Sequence, residues 1–356
     1  MSDTKRVGLT DIARGVIRGV PDAPSVARGL YRLATVRPGS HQSIGSVIER
    51  WAKKTPDAPA LRFEGRTWTY AEFNAWANRI AHALAQAGIR SGQTVAILME
   101  NRPEALVCVA ATLKLGAVAG LLNHNQRGEV LAHSIDLVKP AALILSAECQ
   151  EALESSGFAA NADACTRFWH GGDDGAPPPA GWDDLDRLAG RQPSTNPAST
   201  SSVRADQPCF YIFTSGTTGR SKGVIKQNAA DYFSARSAVE AMAVGRGCSP
   251  GELAGETYFS CLPLFHSNPQ VLCAYPALLV GARVVFVERF SGTRFWRQAI
   301  DAGATTFNGI GAILYFLWNQ PPSPLDRAHS VHTISAAPAP KDIYHAFEER
   351  FGVRLT

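Results

Sequence analysis

Short apolar runs and amphipathic stretches alternate along most of the chain. The runs at 95–98, 117–122 and 141–145 are continuously apolar, which is typical of strands buried on both faces of a parallel sheet. Apolar residues also recur at helical spacing before, between and after these runs. The clearest case follows Thr69, which forms a capping box with Glu72, and Gly88 ends the pattern. This alternation predicts an α/β fold in which mostly parallel strands are covered by helices.

The pattern divides the chain into four segments. Residues 43–170 are predicted to form a first α/β subdomain, residues 171–206 a surface linker rich in Pro, Ser and Thr, and residues 207–356 a second α/β subdomain. The N-terminal arm, residues 1–42, has two short amphipathic stretches at 11–20 and 25–36 with arginines beside the apolar stripe. We favour an arm that packs on the body, because Gly15, Gly19 and Pro21 weaken its first helix. The alternative is peripheral contact of residues 1–40 with an anionic membrane or with acyl chains.

Charge and cysteine usage limit the classes of partner and of metal or disulfide chemistry that we expect. Residues 1–40 hold seven basic and three acidic residues, an excess equal to the formal net charge of +4, so the body is neutral and nucleic acid is not expected as a partner. No run reaches the roughly 18–20 apolar residues of a membrane-spanning helix, and the N-terminus lacks the apolar core of a signal peptide, which predicts a cytoplasmic protein. The seven cysteines are far apart and form no Cys-x-x-Cys pair, so no disulfide framework or metal site is predicted.

The most informative stretch is a polar loop between apolar strands at 209–213 and 224–225. Its glycines let several backbone N–H groups converge, and its hydroxyls and lysine add donors and positive charge, a combination suited to a polyphosphate. It is not the P-loop of nucleotide hydrolases, because Ser221 precedes the lysine and Gly223 follows it, where that motif needs a glycine and a hydroxyl. We call residues 214–222 the phosphate loop, and its predicted ligands are Thr214, Ser215, Gly216, Thr217, Thr218, Gly219 and Lys222.

The phosphate loop resembles the phosphate-binding signature of the superfamily of AMP-forming acyl-CoA synthetases, adenylation domains and luciferases. That superfamily usually has proline before the lysine, where this chain has Ser221. The segments 66–73 and 113–120 resemble two further motifs of the superfamily. The resemblance implies the adenylate-forming large N-terminal domain, with two stacked, parallel-type sheet subdomains and flanking helices.

His266 follows an apolar strand, and open α/β sheets place their ligands at the carboxyl ends of their strands. The resemblance implies that His266 is a catalytic residue where the acyl pocket meets the thiol tunnel. The alternative is a histidine that only caps the strand.

Two small-residue segments also correspond to superfamily sites. The acyl-pocket candidates are Asn308, Gly309 and Gly311, for which close packing between helix and strand is the alternative. The adenine-binding candidates are Ala336, Ala337 and Pro338, for which a turn without a ligand is the alternative.

The reaction that the resemblance implies has two steps and uses ATP, Mg²⁺ and coenzyme A. A carboxylate attacks the α-phosphorus, pyrophosphate leaves, and a thiol then takes the acyl group from the adenylate. No covalent enzyme intermediate is expected, because Ser215 lacks the glycine of a Gly-x-Ser-x-Gly elbow. The segments 121–125 and 288–291 favour a fatty or carnitine-like carboxylic acid.

Two other functions stay open: a free-standing adenylation domain that loads a carrier protein, and a catalytically incomplete module that binds nucleotide or acyl groups. In the superfamily, the segment 351–356 leads into an acidic motif that holds adenylate and magnesium, then into a hinge and a mobile domain with a catalytic lysine. We therefore expect the resemblance to cover only the N-terminal part of the family. We expect the 356-residue chain to fold at most in part and to turn over slowly, since losing one preorganised donor costs about 10²–10³ in rate.

Overall fold

The computed structural model describes residues 23–34, 37, 39–158, 165–214 and 221–356. The strands in these residues are β1 (Pro59–Phe63), β2 (Arg66–Thr69), β3 (Thr94–Leu98), β4 (Val118–Leu121), β5 (Ala142–Ser146), β6 (Thr166–His170), β7 (Asp183–Asp184), β8 (Pro208–Thr214), β9 (Lys222–Gln227), β10 (Thr257–Ser260), β11 (Arg283–Phe286), β12 (Thr306–Gly309), β13 (Thr333–Ala336) and β14 (Arg354–Leu355).

Helices separate most of these strands. The α-helices are Ala23–Ala34, Ile44–Lys54, Tyr70–Gln86, Pro103–Lys114, Gly128–Val138, Gln150–Ser155, Leu185–Gly190, Asn228–Arg246, Ser267–Pro269, Tyr275–Val280, Phe295–Ala302, Gly311–Trp318 and Tyr344–Phe351, and a π-helical segment spans Gln270–Ala274. No helix in the described ranges has the length and apolar character needed to span a bilayer.

The described strands form two sheets of seven strands each. One sheet has the order β14-β13-β12-β10-β11-β1-β2 and the other β7-β6-β5-β3-β4-β8-β9. Neighbouring strands are parallel except in the hairpins β1–β2 and β8–β9, each of which supplies an antiparallel strand at one side of its sheet. The predicted class, two α/β sheets with flanking helices, is confirmed.

The sheets differ from the predicted division of the chain in two places. The hairpin β1–β2 falls in the predicted first subdomain, 43–170, yet Leu61 of β1 lies beside Val284 of β11. The hairpin β8–β9 falls in the predicted second subdomain, 207–356, yet Tyr211 of β8 lies beside Gly120 of β4. Each hairpin extends the sheet built from the other part of the chain. Its own apolar pattern does not encode this choice, because strand pairing depends on tertiary neighbours.

The helix Pro103–Lys114 lies in a core shared by both sheets. All of its residues except Glu104 are buried, whereas a surface helix buries one face only. The core cluster that contains this helix includes Val95 and Phe210 from one sheet and Val284 from the other. The two sheets therefore pack as one body around this helix.

Lys114, the last residue of that helix, ties three helices together. Its ammonium group is fully buried and donates to Glu49 Oε1 and Asn74 Oδ1, both at 2.8 Å. Burial lowers the pKa of Lys114 to about 8, while Glu49 opposes that change. The contact joins the helix to Ile44–Lys54 and Tyr70–Gln86, whose N-terminal caps are Ser43 and Thr69.

The predicted linker, 171–206, is more ordered than its composition indicates. It contains the short strand β7, the helix Leu185–Gly190 and a 3₁₀ turn at Ala198–Ser202. Asn196 accepts bonds from Asn74 and Asn78 of the helix Tyr70–Gln86, so side-chain bonds that composition does not reveal hold this segment on the body.

Candidate functional site

The phosphate loop connects β8 to β9 at the carboxyl end of β8. Thr214, the last residue of β8, pairs with Lys222, the first residue of β9, and both side chains are exposed and accessible to a ligand. The positions 215–220 lie outside the described residues. The contacts expected there therefore stay predictions, and they concern Ser215, Gly216, Thr217, Thr218 and Gly219.

The described end of the phosphate loop is tied to the segment that follows β4. Gln126 donates from Nε2 to Ser221 Oγ at 3.3 Å, and its Oε1 accepts a bond from Ser134 Oγ at 2.9 Å. His133 Nε2 lies 3.1 Å from the Ser221 carbonyl, which can only accept, so this ring nitrogen carries a proton. Ser221, at the superfamily's usual proline position, thus makes a hydroxyl contact that proline lacks.

His266 lies in a turn beyond β10, and its ring packs against Phe265, which in turn packs against His124. Its backbone N–H donates to the Pro263 carbonyl at 3.0 Å. The ring centroid of Phe265 lies 4.4 Å from that of His266 and 5.0 Å from that of His124. Partial burial, followed by the neighbouring His124, lowers the pKa of His266 below its ordinary 6.5. The imidazole is therefore neutral at pH 7 and can accept a proton.

His124 is held in one tautomer. Its Nδ1 lies 3.1 Å from the Met99 carbonyl and must donate to it, which leaves Nε2 as an acceptor in the neutral ring. Burial lowers the pKa of His124, with the bond to Met99 opposing that change.

The acyl-pocket candidates occupy the carboxyl end of β12. Asn308 is 5% exposed, donates to Asn268 Oδ1, and has an Oδ1 atom with no partner among the described residues. A Cβ on Gly309 would lie 2.8 Å from the Phe307 ring, and one on Gly311 would lie 3.0 Å from a backbone carbonyl. Close packing therefore accounts for both glycines, and their role in an acyl pocket stays a prediction.

The adenine candidates lie beside the acyl-pocket candidates. Ala336 ends β13 in register with Gly309 of β12, and the Ala337 N–H donates to the Gly309 carbonyl at 3.4 Å. The Pro338 carbonyl is the atom that a side chain on Gly311 would meet. Parallel strands thus bring these two predicted sites together.

Strands of both sheets end at a cavity of about 280 Å³. Open α/β sheets bind ligands at this end of their strands, so the cavity belongs to the candidate site. Sequence reasoning missed Asn101, and it used the segment 121–125, which contains His124, only as an indication of the substrate class, although both residues follow predicted strands as His266 does. The lining of the cavity includes Glu100, Asn101, His124, Asn125, Leu262 and Arg289.

Within the described ranges, no group of three or more His, Cys, Asp or Glu residues is arranged to hold a metal ion. The six buried cysteines and half-buried Cys248 are all free thiols.

Two sheets around a shared core, with a Gly/Ser/Thr/Lys loop and a histidine at their strand ends, define an adenylate-forming domain. The chain belongs to the AMP-binding enzyme family, whose model matches residues 48–356. The predicted superfamily is therefore confirmed.

Two curated relatives illustrate the match. The chain is 37% identical over 350 residues to the medium/long-chain-fatty-acid–CoA ligase FadD6 of Mycobacterium tuberculosis, covering 98% of this chain and 55% of the relative. It is 33% identical over 324 residues to the human long-chain fatty acid transport protein 1, covering 88% of this chain and 48% of the relative. The chain thus spans about half the length of the curated relatives it matches.

Solved structures show the same fold at lower identity. The anthranilate CoA ligase AuaEII, solved with anthranoyl-AMP, superposes with a TM-score of 0.78 at 18% identity, covering 91% of this chain and 60% of that one. The N-terminal domain of FACL13 from Mycobacterium tuberculosis superposes with a TM-score of 0.71 at 22% identity, covering 88% of this chain and 74% of that one. These similarities support the fold and leave the substrate open.

Proposed function

We propose that this protein is the nucleotide- and acyl-binding part of an AMP-forming ligase that converts a carboxylic acid into its acyl-CoA. One contact supports this assignment above the others. Lys226 of β9, the strand that follows the phosphate loop, donates to Ser267 Oγ at 3.1 Å, so that strand touches the residue next to His266. The strand that begins with Lys222 of the phosphate loop thus contacts, near its other end, the turn that carries His266.

The proposed reaction proceeds by two displacements. A carboxylate oxygen bonds to the α-phosphorus of ATP as the bond to pyrophosphate breaks, and a thiolate then bonds to the acyl carbon as AMP leaves. Thr214, residues 215–219 and Lys222 would hold the departing phosphates, each charge-assisted contact contributing roughly 1.5–3 kcal/mol. Neutral His266 would accept the thiol proton, and the segment 336–338 would stack on adenine.

Mg²⁺ would neutralise charge on the phosphates when bound with ATP. The described residues offer no acidic cluster for it. Since Mg²⁺ usually retains waters and binds phosphate oxygens, this chain's contribution would be to hold the phosphates rather than to coordinate the ion.

We propose a fatty acid as the substrate, because both curated relatives described above carry fatty acid in their names. ATP–pyrophosphate exchange with short, medium and long fatty acids, carnitine-like acids and aromatic acids tests this. It is run on residues 1–356 and on the chain extended through any coding sequence downstream. Exchange selective for fatty acids supports the assignment, and exchange with aromatic acids alone contradicts it.

The acceptor separates the proposed ligase from its enzymatic alternative. Transfer of the acyl group from adenylate to coenzyme A supports the ligase, whereas transfer only to a phosphopantetheinyl carrier protein indicates a loading adenylation domain. ATP binding without exchange in either form of the chain would indicate a non-catalytic binding module.

We further propose a cytoplasmic protein whose N-terminal arm contacts anionic membranes. The helix Ala23–Ala34 packs on Asn228–Arg246, where a Cβ on Gly29 would lie 3.3 Å from Glu240. Its exposed described residues are all apolar, namely Pro24, Ala27, Leu30, Tyr31 and Ala34. Packing on the body and membrane contact are therefore compatible.

Flotation with anionic and neutral vesicles tests this contact. We expect binding to anionic vesicles that is lost in Leu30→Ser/Tyr31→Ser, while Val130→Ser, at another exposed apolar position, retains it. Equal binding by both variants would contradict the proposal.

A further inference from the structure

Asn101 is a buried amide that joins the two sheets. It follows β3 and is 3% exposed. Its Nδ2 donates to the Leu262 carbonyl at 3.0 Å and to the Val287 carbonyl at 3.2 Å, and its Oδ1 accepts from the Leu264 N–H at 2.7 Å. Both amide functions are therefore used, and all three backbone partners belong to the segments that follow β10 and β11.

These bonds fix the turn that carries His266. The Leu264 N–H lies inside the turn that the His266 N–H closes on the Pro263 carbonyl. A side chain without a donor and an acceptor at position 101 would leave two buried carbonyls and an N–H unpaired, and the turn would shift to satisfy them.

Other contacts across the sheets converge on the same turn. His124, which follows β4, packs edge-on against Phe265 at 5.0 Å, and Lys226 of β9 reaches Ser267. Asn101 differs from them because it bonds directly to the backbone. The turn follows β10 and so belongs to one sheet. Side chains from the other sheet, which contains β8 and β9, contact the turn both before and after His266.

We propose that Asn101 is a positioning residue that sets His266 relative to the sheet whose strands β8 and β9 flank the phosphate loop. The role rests on the proposed ligase function, in which His266 serves thioester formation and the phosphate loop serves adenylate formation. Asn101 would act through this turn, because both of its amide functions are already bonded to backbone groups. A misplaced reacting group costs about 10²-fold in rate even when the shift is close to 1 Å, so the effect should appear in the step that uses His266.

A double-mutant cycle tests this role. Synthetic acyl-adenylate and coenzyme A are given to the extended chain, and the single-turnover rate of thioester formation is measured for Asn101→Ala, His266→Ala and the double variant. We expect Asn101→Ala to slow this step about 10²-fold in the native background. In the His266→Ala background it should cost at most about twofold, the range of independent effects. An equal loss in both backgrounds would overturn the proposal.

Asn78→Ala is the matched control. Asn78 is also fully buried and donates to the Ser194 carbonyl at 2.7 Å and to Asn196 Oδ1 at 2.9 Å, away from this turn. Both variants should lower stability to urea, but only Asn101→Ala should slow thioester formation more than ATP–pyrophosphate exchange. If both half-reactions fall together in both variants, Asn101 is only a structural residue.

An NMR titration of His266 tests the role of Asn101 without requiring enzymatic turnover. The His266 imidazole signal, identified by its loss in His266→Ala, should titrate at higher pH in Asn101→Ala than in the native 356-residue chain, because a loosened turn exposes the ring. Asn101→Ser, which leaves room for water, replaces the alanine variant if that variant does not fold. An unchanged titration in a folded variant overturns the inference. Absence of adenylate formation by the native protein would overturn the proposed function instead.

Discussion

The two ends of the sheet that contains β10–β14 satisfy their buried polar groups in different ways. At the amino ends of the strands, Glu256 is 8% exposed and accepts bonds from Thr305 Oγ1, from His332 Nε2 at 3.0 Å, and from Arg246. At the carboxyl ends, Asn308 Oδ1 and Gln270 Oε1 are buried without a partner among the described residues.

This difference separates buried polar groups that bond within the protein from buried acceptors that could bond to water or a ligand. Buried polar atoms in native proteins are nearly always bonded, so unpaired ones indicate a missing water or ligand. At the amino end the Glu256 carboxylate has three partners within the protein, although Arg283 Nε at the start of β11 is buried without a partner among the described residues. The carboxyl end keeps two buried acceptors without a partner among the described residues, and the Gln270 amide group also donates to the Leu264 carbonyl, close in sequence to His266.

The largest expected effect is at the carboxyl end. Lys222→Ala should weaken ATP binding by about 2–3 kcal/mol, because a charge-assisted phosphate contact is lost. Unfolding by urea should not change, since Lys222 is exposed. Calorimetric titration with ATP measures the first quantity.

Arg66→Ala is the control for Lys222→Ala, because Arg66 likewise begins the second strand of an antiparallel hairpin, in the other sheet. It should leave ATP affinity unchanged. Equal weakening by both variants would mean that positive charge in general, rather than the phosphate loop, attracts the nucleotide.

The amino end should affect stability alone. Glu256→Gln removes the charge that pairs with Arg246, and we expect a loss of about 1–2 kcal/mol in the free energy of unfolding. This is less than for a fully buried pair, because the Arg246 side chain is 36% exposed. Urea unfolding measures the loss, and a change in ATP affinity would contradict the separation of the two ends.

Acidification should affect the carboxyl end through His266. Its pKa lies below the ordinary 6.5, so the neutral ring persists to a lower pH than in the unfolded chain. Thioester formation should therefore fall only below pH 6.5, and the contribution of this group to stability should also decline as the pH falls through that value.

His124→Gln sharpens the pH prediction. It removes the repulsive neighbour of His266, so the acid limb of the rate profile should move to higher pH. A profile that stays in place would show that burial alone lowers the pKa.

The smallest expected effect concerns the tie between Gln126 and Ser221. Gln126→Leu should weaken ATP binding by about 0.5–1 kcal/mol, the net value of one neutral hydrogen bond. In a Ser221→Pro background the same change should have no effect, because the hydroxyl contact is already absent. Additive losses would show that Gln126 acts elsewhere.

Local sequence signals predicted the elements well. Thr69 Oγ1 accepts from the Glu72 N–H at 3.2 Å and Glu72 Oε2 accepts from the Thr69 N–H at 2.8 Å, as the capping box requires. Glu64 and Gly65 have φ values of 44° and 82°, as expected for the tight turn of a hairpin. Both features depend on residues close in sequence, so spacing alone reveals them.

The candidate site was only partly predictable, because some of its contacts join residues that are far apart in sequence. His266 and the segment 336–338 follow apolar strands and could be found by position. The role of Asn101 could not, because its partners lie more than 160 residues away along the chain. The sheet joined by each hairpin was likewise hidden, since the choice depends on neighbours elsewhere in the fold.

The exchange of hairpins between the sheets also constrains synthesis of the protein. The strand β1 leaves the ribosome early, yet its parallel partner β11 is made much later, since Leu61 pairs with Val284. Until then β1 has an unpaired side that can pair with another nascent chain. We expect neither half of the chain to complete its sheet alone, and two fragments cut at the 171–206 linker to form complete sheets only when they are expressed together.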